Sequence, residues 1–342
     1  MMAGWLWLPL LFAGTAVATT LATRIVLAGL QRRAILDLPN DRSSHVQPTP
    51  RGGGIAVVAI LLPSWGLIHF LDGRSDPSLW LVIGGILALA VLSWIDDLHS
   101  LSARLRLICH GLAVIVVLAN LPANALIFQG LLPPLADHIA TAILWLWFIN
   151  LFNFMDGIDG IAGVEALSIA LGLALIVTVS GDLALARDAL LAMTLAGGAF
   201  GFLLWNWHPA RLFLGDVGSV PLGFALGWLL ISAAVAGHWA AALILPLYYF
   251  ADATITLTRR ALRGAKVWLA HREHYYQQAV AGGLDHGTVA RAVAIGNVML
   301  IGLAVAAEQM AGRGKLIAIL AAVMAVALLL IFLAGAWRRA AR

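Results

Sequence analysis

The sequence predicts an all-α integral membrane protein with about eleven transmembrane helices, its N-terminus outside and its C-terminus cytoplasmic. First, the 342 residues are 62% hydrophobic and 11% charged, whereas soluble proteins are about 45–50% apolar and about 25% charged. Second, apolar runs close to the roughly 20 residues that cross a bilayer recur along the whole chain. Third, with this orientation all but four of the 21 basic residues fall on the cytoplasmic side, as the positive-inside rule requires.

The spans are delimited by hydropathy and by charged or Gly/Pro breaks. In chain order they are expected near residues 6–30, 53–71, 79–95, 106–121, 138–153, 161–180, 184–205, 217–236, 239–258, 288–308 and 316–336. The first span has no basic residue before it and carries Arg24, Arg32 and Arg33 at its far end. A cleaved secretory signal has the opposite polarity, so this span is predicted to be retained. The stretch from Asn120 to Ala140 is interpreted as either a short hairpin or a re-entrant turn.

The chain is predicted to be a single domain, residues 1–342, whose cytoplasmic connections 31–52, 96–105, 154–160, 206–216 and 259–287 form the active site. A net charge of +4 suits anionic lipid headgroups or a phosphorylated substrate and argues against a nucleic-acid partner. Cys109 is the only cysteine, which excludes an intramolecular disulfide.

The polar residues that are hardest to explain by solvation lie in the cytoplasmic connections. The first of these connections contains the segment from Asn40 to His45 and continues through Arg51 to Gly54.

Asp96 and Asp97 end an otherwise apolar run. Two adjacent carboxylates at the membrane surface repel each other, and a divalent cation or a proton relieves that repulsion. The alternative is a pair of solvated helix-end acids beside His99 and Arg104.

The third connection contains four polar residues at intervals of three, namely Asn150, Asn153, Asp156 and Asp159. On a helix each such interval turns about 300°, so neighbours in the series share a face that drifts by roughly 60° per step. Gly157, Gly160 and Gly163 allow the close backbone approach that a phosphate or metal pocket needs. The alternative is a polar ladder that joins two helices.

Asp216 lies between Gly215 and Gly218 at the entrance to an apolar span, with Phe213 just before it. An acid in this position is costly unless it binds a ligand. The alternative is that Asp216 caps the following helix.

The longest and most basic connection contains His271, Arg272 and His274. Zinc binding lacks a third nearby ligand, so we interpret this segment as a basic lid over a diphosphate, in which Arg272 offers a two-pronged donor. Asp252 is expected to lie near the inner surface and to support this lid. The alternative is a loop that is held to lipid headgroups.

These motifs, from TPRGGG at residues 49–54 to HREHYYQ at residues 271–277, occur in one order on one predicted face of the membrane. Together they resemble the polyprenyl-phosphate N-acetylhexosamine-1-phosphate transferase family, most closely the branch that initiates O-antigen or related surface glycans. The resemblance implies transfer of N-acetylhexosamine 1-phosphate from a UDP-sugar to undecaprenyl phosphate, with release of UMP. It also implies a multi-pass protein of the bacterial cytoplasmic membrane, and the subunit number stays open, with a homodimer as one option.

The resemblance further implies a role for each motif residue. Asp216 and Asp97 would bind Mg²⁺, with Mn²⁺ as the alternative cofactor, and the catalytic carboxylates would be Asp96, Asp97, Asp156 and Asp159. The substrates would contact Arg51, Asn150, Asn153, Phe213, His271, Arg272 and His274. Asn150, Asn153, Asp156 and Asp159 would shape the nucleotide-sugar pocket, and Phe213 would lie against the uracil. The acceptor phosphate would attack either directly or after a covalent aspartyl intermediate. Because HREH replaces consecutive histidines, a pentapeptide-bearing substrate is not expected.

Two other functions agree less well with the sequence. A polytopic transporter or lipid flippase predicts essential charges near mid-membrane and two related halves, whereas the acids of this chain cluster at one surface and no repeat is visible. A CDP-alcohol phosphotransferase would need a paired Ala-Arg and further aspartates after DGIDG, and these do not follow.

Overall fold

The computed structural model describes residues 7–38, 47–73, 77–122, 124–267 and 271–340. The predicted polar segment from Asn40 to His45 lies outside these ranges. The helices are α1 (Trp7–Arg32), α2 (Gly54–Asp72), α3 (Ser78–His99), α4 (Ala103–Leu118), α5 (Pro134–Phe154), α6 (Ile161–Ser180), α7 (Ala186–Asn206), α8 (Asp216–Val235), α9 (Trp239–Ile244), α10 (Leu247–Leu262), α11 (Tyr275–Ala281), α12 (His286–Glu308) and α13 (Arg313–Ala340).

Within the described ranges, nine helical segments are long and apolar enough to cross a membrane: α1, α2, α3, α5, α6, α7 with its preceding turn, α8, α12 and α13. The prediction of an all-α, multi-pass membrane protein is confirmed at this level. Helix α4 has 16 residues and is shorter than those nine. The count of eleven crossings and the orientation of the termini stay predictions.

The predicted continuous span over residues 239–258 is interrupted. Helix α9 ends at Ile244, and α10 begins at Leu247, immediately after Pro246. Proline lacks the backbone N–H that would continue the helical hydrogen bonds and its ring clashes with the preceding turn, which accounts for the break. Helix α10 carries Arg259 and Arg260 in its last turn.

The stretch between α4 and α5 is a series of turns that leads into α5 at Pro134. The buried Asp137 carboxylate holds these turns, because it accepts hydrogen bonds from the backbone N–H groups of Ile127 at 3.1 Å and Phe128 at 2.9 Å. A second departure from an all-α fold is one short antiparallel strand pair, β1 (Leu36–Asp37) with β2 (Thr49–Pro50).

Helix α8 forms the centre of the bundle, and 94% of its apolar stretch is buried against neighbouring helices. Trp145 of α5 stacks on Phe224 of α8 with ring centroids 4.7 Å apart. At the other end of α8, a Cβ atom on Gly54 would lie only 2.2 Å from the Cα atom of Gly218. The glycines thus allow α2 and α8 to touch through their backbones, and this contact places the N-terminus of α8 beside the segment that contains Arg51.

Candidate active site

Two of the predicted motifs are joined through their backbones. The N–H of Phe213 donates to the carbonyl of Pro50 at 2.9 Å, and the N–H groups of Gly53 and Gly54 donate to the carbonyls of Phe213 and Leu214, each at 2.8 Å. Gly215 then turns the chain into α8 with a φ of +74°, a left-handed conformation that favours glycine. This pairing brings the side chains of Arg51 and Asp216 together across 165 residues of sequence.

Three carboxylates and two guanidinium groups form what we call the carboxylate cluster: Asp96, Asp97, Asp216, Arg51 and Arg106. Nη2 of Arg51 lies 2.6 Å from Oδ1 of Asp216 and 2.9 Å from Oδ1 of Asp97. Nη1 of Arg106 lies 2.7 Å from Oδ2 of Asp96 and 3.5 Å from Oδ2 of Asp216. Burial acts to lower the pKa of Arg51, but Asp216 and Asp97 outweigh it and hold that pKa above its usual value.

Asp97 also closes the N-terminus of α8. The backbone N–H groups of Asp216 and Val217 donate to its carboxylate at 3.4 Å and 3.2 Å. The cap position itself is Gly215, which has no side-chain acceptor, so the alternative interpretation of Asp216 as the helix cap is wrong. Because Asp97 satisfies these N–H groups, the carboxylate of Asp216 faces the arginines.

Asp96 is not the solvated acid of the alternative interpretation. Asp96 is only 8% exposed, and its carboxylate accepts hydrogen bonds from the N–H of Leu101 at 2.6 Å and from Arg106. Arg106 therefore takes the place that the alternative assigned to Arg104 and His99. Arg106 was not among the predicted site residues, because it lies on the next helix, ten residues after Asp96.

The predicted metal ligands, Asp97 and Asp216, lie together in the carboxylate cluster. Oδ1 of each pairs with the same nitrogen of Arg51, so a divalent ion bound by both would take the place of this guanidinium between them. Carboxylate oxygens are the protein ligands that Mg²⁺ prefers. Asp97 and Asp216 are the residues that could hold such an ion.

The polar series of the third connection does not lie on a single helix. Helix α5 ends at Phe154, so only Asn150 and Asn153 share a helical face, and Asp156 and Asp159 lie in the loop. Nδ2 of Asn153 donates to Oγ of Ser219 at 2.9 Å and ties α5 to the first turn of α8, whereas Asn150 donates to the carbonyl of Leu146 on its own helix at 2.7 Å.

Asp156 belongs electrostatically to the carboxylate cluster. The pKa of its carboxyl group is raised from 3.8 to about 7, mainly by burial and also by Asp216 and Asp97, against the lowering effect of Arg51. The group therefore carries a proton for part of the time near neutral pH. Its position next to the cluster agrees with the predicted grouping of these motifs.

Asp159 lies in a separate polar cluster with two histidines. Its Oδ2 is 2.6 Å from Nδ1 of His208 and accepts the N–H of Ala210 at 3.1 Å, while its Oδ1 is 3.3 Å from Nδ1 of His286. Burial acts to raise the pKa of Asp159, but the hydrogen bonds from His286 and His208 outweigh it and hold the pKa below its usual value. The ligand atoms of these three residues lie within 4.8 Å of one another, but both carboxylate oxygens already have hydrogen-bond partners.

Sequence reasoning missed this triad. Neither His208 nor His286 belongs to one of the predicted motifs. His286 reaches Asp159 from the start of α12, 127 residues away, and nothing in the local sequence signals that contact.

The lid segment is built on Asp252 of α10, as expected. This fully buried carboxylate accepts from the backbone N–H groups of Tyr275 at 3.0 Å and Tyr276 at 3.3 Å, and lies 3.2 Å from Nδ1 of His274. His274 is only 2% exposed, so it fixes the lid to the bundle. The ring of His271 stacks on His274 with centroids 4.8 Å apart, and Arg272 is exposed between His271 and Glu273.

The environment of His271 keeps its ring neutral near neutral pH. Its pKa is lowered to about 4, mainly by burial and also by the positive charges of the neighbouring His274 and Arg260. Of the three predicted lid residues, Arg272 is thus the one that presents a permanent charge at the surface.

Tyr276 joins the lid to the third connection. Its hydroxyl donates to the carbonyl of Phe154 at 3.1 Å, and a Cβ atom on Gly157 would lie 2.2 Å from that hydroxyl oxygen. Through this contact, the lid meets the loop that holds Asp156. The structure therefore links all five predicted connections, although through three separate hydrogen-bonded groups: the carboxylate cluster, the cluster of Asp159 with its two histidines, and the lid.

Comparison with known proteins gives a consistent result. Residues 79–234 match the model of a family described as glycosyl transferase family 4. A probable undecaprenyl-phosphate N-acetylglucosaminyl 1-phosphate transferase of Bacillus subtilis is 27% identical over 79% of this chain and 78% of its own length.

Two further relatives match over shorter stretches. A decaprenyl-phosphate N-acetylglucosaminephosphotransferase of Mycolicibacterium smegmatis is 31% identical over 62% of this chain and 56% of its own length. A phospho-N-acetylmuramoyl-pentapeptide-transferase of Thermosynechococcus vestitus is 32% identical over 54% of this chain and 52% of its own length. The chain thus spans about half the length of these two relatives.

Proposed function

We propose that the chain, whose residues 79–234 match glycosyl transferase family 4, transfers N-acetylhexosamine 1-phosphate from a UDP-sugar to undecaprenyl phosphate. The products are the polyprenyl-diphosphate-linked sugar and UMP. The relatives named for transfer to undecaprenyl or decaprenyl phosphate support the general reaction. The active site lies on the cytoplasmic face of the bacterial cytoplasmic membrane, on the side predicted to hold most of the basic residues.

The carboxylate cluster is the observation that supports this proposal most strongly. Donor diphosphate and acceptor phosphate are both anions, so their approach requires positive charge at the reacting phosphorus. Arg51 and Arg106 supply two guanidinium groups that both pair with Asp216, while Arg51 also pairs with Asp97 and Arg106 with Asp96. A phosphate that enters the cluster can take over the outward N–H donors of these arginines.

We propose that Asp97 and Asp216 also hold Mg²⁺. The ion would neutralise charge on the phosphates and orient them for transfer. The protein residues around it would act as positioning groups: Asp97 fixes the start of α8, Asn153 secures its first turn, and Arg51 spans both carboxylates.

The reaction we propose is a direct displacement. An oxygen of the acceptor phosphate forms a bond to the sugar-linked phosphorus of the donor, the bond from that phosphorus to the bridging oxygen breaks, and UMP leaves with the electron pair. Asp96 and Asp97 each accept two or more hydrogen bonds or ion pairs, which suits a positioning role better than that of a covalent nucleophile. Asp156, with a pKa of about 7, is the carboxyl group best suited to accept a proton from the acceptor phosphate.

The nucleotide sugar is proposed to lie between the cluster and the lid. Phe213 would lie against the uracil, and Arg272, which is exposed on the lid, would contact the diphosphate. The HREH sequence favours an unsubstituted N-acetylhexosamine over a pentapeptide-bearing sugar, and the proposed product initiates a surface glycan.

The direct test is a reaction with purified protein, magnesium, undecaprenyl phosphate and a panel of UDP-N-acetylhexosamines. We expect release of UMP together with a lipid product whose mass equals that of the acceptor plus one N-acetylhexosamine 1-phosphate. Product with one sugar of the panel would identify the substrate. The absence of lipid product with every sugar, from a monodisperse and correctly folded preparation, would contradict the proposal.

A further inference from the structure

A cavity of about 420 Å³ lies where the end of α10 meets the lid, and the proposed reaction makes no use of it. Its lining consists of Thr256, Arg259, Leu262, Arg263, Glu273 and Gln278. Leu262 is 83% exposed and the side chain of Arg263 is 64% exposed, so the cavity opens to the surface. Its polar lining differs from the apolar surface expected of a helix that only faces lipid tails.

Two guanidinium groups border the cavity and both are held in place. Arg259 lies in the last turn of α10, and Arg263 is the C-cap residue of that helix, four residues further on. The guanidinium carbon of Arg259 lies 5.2 Å from the centroid of the Tyr275 ring, and Arg263 forms an ion pair with Glu273. Contacts of this kind reduce the loss of side-chain freedom when a ligand binds.

The charge of this region is positive. Arg259, Arg260 and Arg263 contribute three positive charges, and Glu273, which is paired with Arg260 and Arg263, contributes one negative charge. Planar guanidinium groups match the oxygens of a phosphate, because each can donate two parallel hydrogen bonds. An anion that carries phosphate oxygens therefore fits the charge and the donors of the cavity.

The surface at the outer edge of the cavity is apolar. Leu262 lines the cavity, and Ile255, outside the lining, precedes it on α10 by about 10 Å at a rise of about 1.5 Å per residue; both are exposed. A ligand that fits both edges carries a phosphate at one end and a hydrocarbon chain at the other.

We propose that this cavity binds the headgroup of an anionic glycerophospholipid, with its phosphodiester between Arg259 and Arg263 and its acyl chains against Leu262 and Ile255. The bound lipid also stabilises the lid. Arg263, which would contact the lipid, also pairs with Glu273, and Glu273 directly precedes His274, which pairs with Asp252. This assignment does not depend on the transferase reaction and is tested by binding alone.

The experiment measures phosphatidylglycerol retained by the full-length protein after extraction from nanodiscs of phosphatidylglycerol and phosphatidylcholine, using native mass spectrometry. The variant Arg259→Gln/Arg263→Gln is compared with Arg32→Gln/Arg33→Gln, which removes the same charge from two other exposed arginines. We expect retention to fall about tenfold or more in the first variant and to stay close to wild type in the second. Phosphatidylcholine should be retained less than phosphatidylglycerol in the wild type.

Two results would overturn the proposal. An equal loss in both double variants, or no loss in either, would mean that lipids are attracted only by the general positive charge of this face. Displacement of phosphatidylglycerol by added undecaprenyl phosphate would instead make the cavity part of the acceptor site. If the first double variant does not stay monodisperse, Arg259→Gln is compared with Arg32→Gln by the same measurement and the same criteria.

Discussion

Asp216 is the residue whose charge matters most to the proposed reaction. Asp216→Asn keeps the shape of the side chain but removes the negative charge that faces Arg51 and would bind magnesium. We expect turnover to fall about 100-fold or more, on the scale of losing one preorganised electrostatic contact, while the melting temperature stays close to wild type. The measurement is UMP release as a function of magnesium concentration.

The matched control for this change is Asp182→Asn, which removes a carboxylate from the connection between α6 and α7 at the other end of the bundle. It should leave turnover within about twofold of wild type, as is usual for substitutions away from a site. Full magnesium-dependent activity in Asp216→Asn would show that this residue is not a metal ligand.

Asp156 predicts a specific dependence of stability on pH. Its pKa is raised from 3.8 to about 7 in the folded protein, so between these values the folded state holds a proton that the unfolded state has released. Its contribution to stability is therefore complete below about pH 4 and is lost as pH rises through about 7. Without magnesium, the decrease in melting temperature from pH 5 to pH 8 should be larger in wild type than in Asp156→Asn. An equal decrease in melting temperature in both proteins would contradict the raised pKa of Asp156.

Substitutions of His286 should show whether its ring stabilises the fold through hydrogen bonding or through packing. Its Nδ1 faces the buried carboxylate of Asp159, and a hydrogen bond to a charged group contributes about 1.5–3 kcal/mol. His286→Ala should lower the free energy of unfolding by about that amount, whereas His286→Asn, whose amide can replace Nδ1, should recover part of it. Thermal unfolding followed with a thiol-reactive dye on Cys109 would measure both, with the exposed His99→Ala as control. Equal losses for Ala and Asn would mean that the ring acts only through packing.

The lid carries its own prediction. Asp252 and His274 fix its base, while Arg272 is exposed on it, so Arg272 should act on the diphosphate common to all donors. We expect Arg272→Lys to weaken catalysis and Arg272→Ala to weaken it more, by about 1.5–3 kcal/mol. The ratio of kcat/KM for two UDP-N-acetylhexosamines should stay nearly constant.

Lys266→Ala is the control for this element, because it removes a positive charge from the same basic connection outside the HREHYYQ motif. It should have a smaller effect than Arg272→Ala. A large change in the sugar ratio for Arg272→Ala would show that the lid contacts the hexose, and its assignment to the diphosphate would then be wrong.

Orientation is a property of the whole chain. The distribution of basic residues predicts that the five connections with the candidate site face the cytoplasm. In a Cys109→Ala background, a membrane-impermeant thiol reagent applied from outside should label Ala236→Cys and Ala311→Cys and should miss Ala103→Cys and Lys266→Cys. All four positions are exposed, so permeabilised cells should give labelling at each of them. Labelling of the latter two from outside would reverse the predicted topology.

Much of the architecture could be predicted because it depends on local composition. Long apolar runs must form helices in a bilayer, since every backbone N–H and C=O group needs an internal partner there. For this reason α2, α6 and α8 begin and end within a residue or two of the predicted limits. The break before α10 was missed, although Pro246 was visible in the sequence, because the hydropathy on both sides of it is continuous.

The sequence by itself also determined which polar residues are costly to bury, and hence that Asp97, Asp156 and Asp216 need partners near a membrane surface. Only the tertiary structure decided which partners they have. It placed Arg51 between Asp97 and Asp216, gave the capping of α8 to Asp97, and separated Asp159 from these acids by pairing it with His208 and His286. The physical reason is that burial cost is a property of each side chain and its neighbours in sequence, whereas hydrogen bonds and ion pairs depend on which helix ends meet after packing.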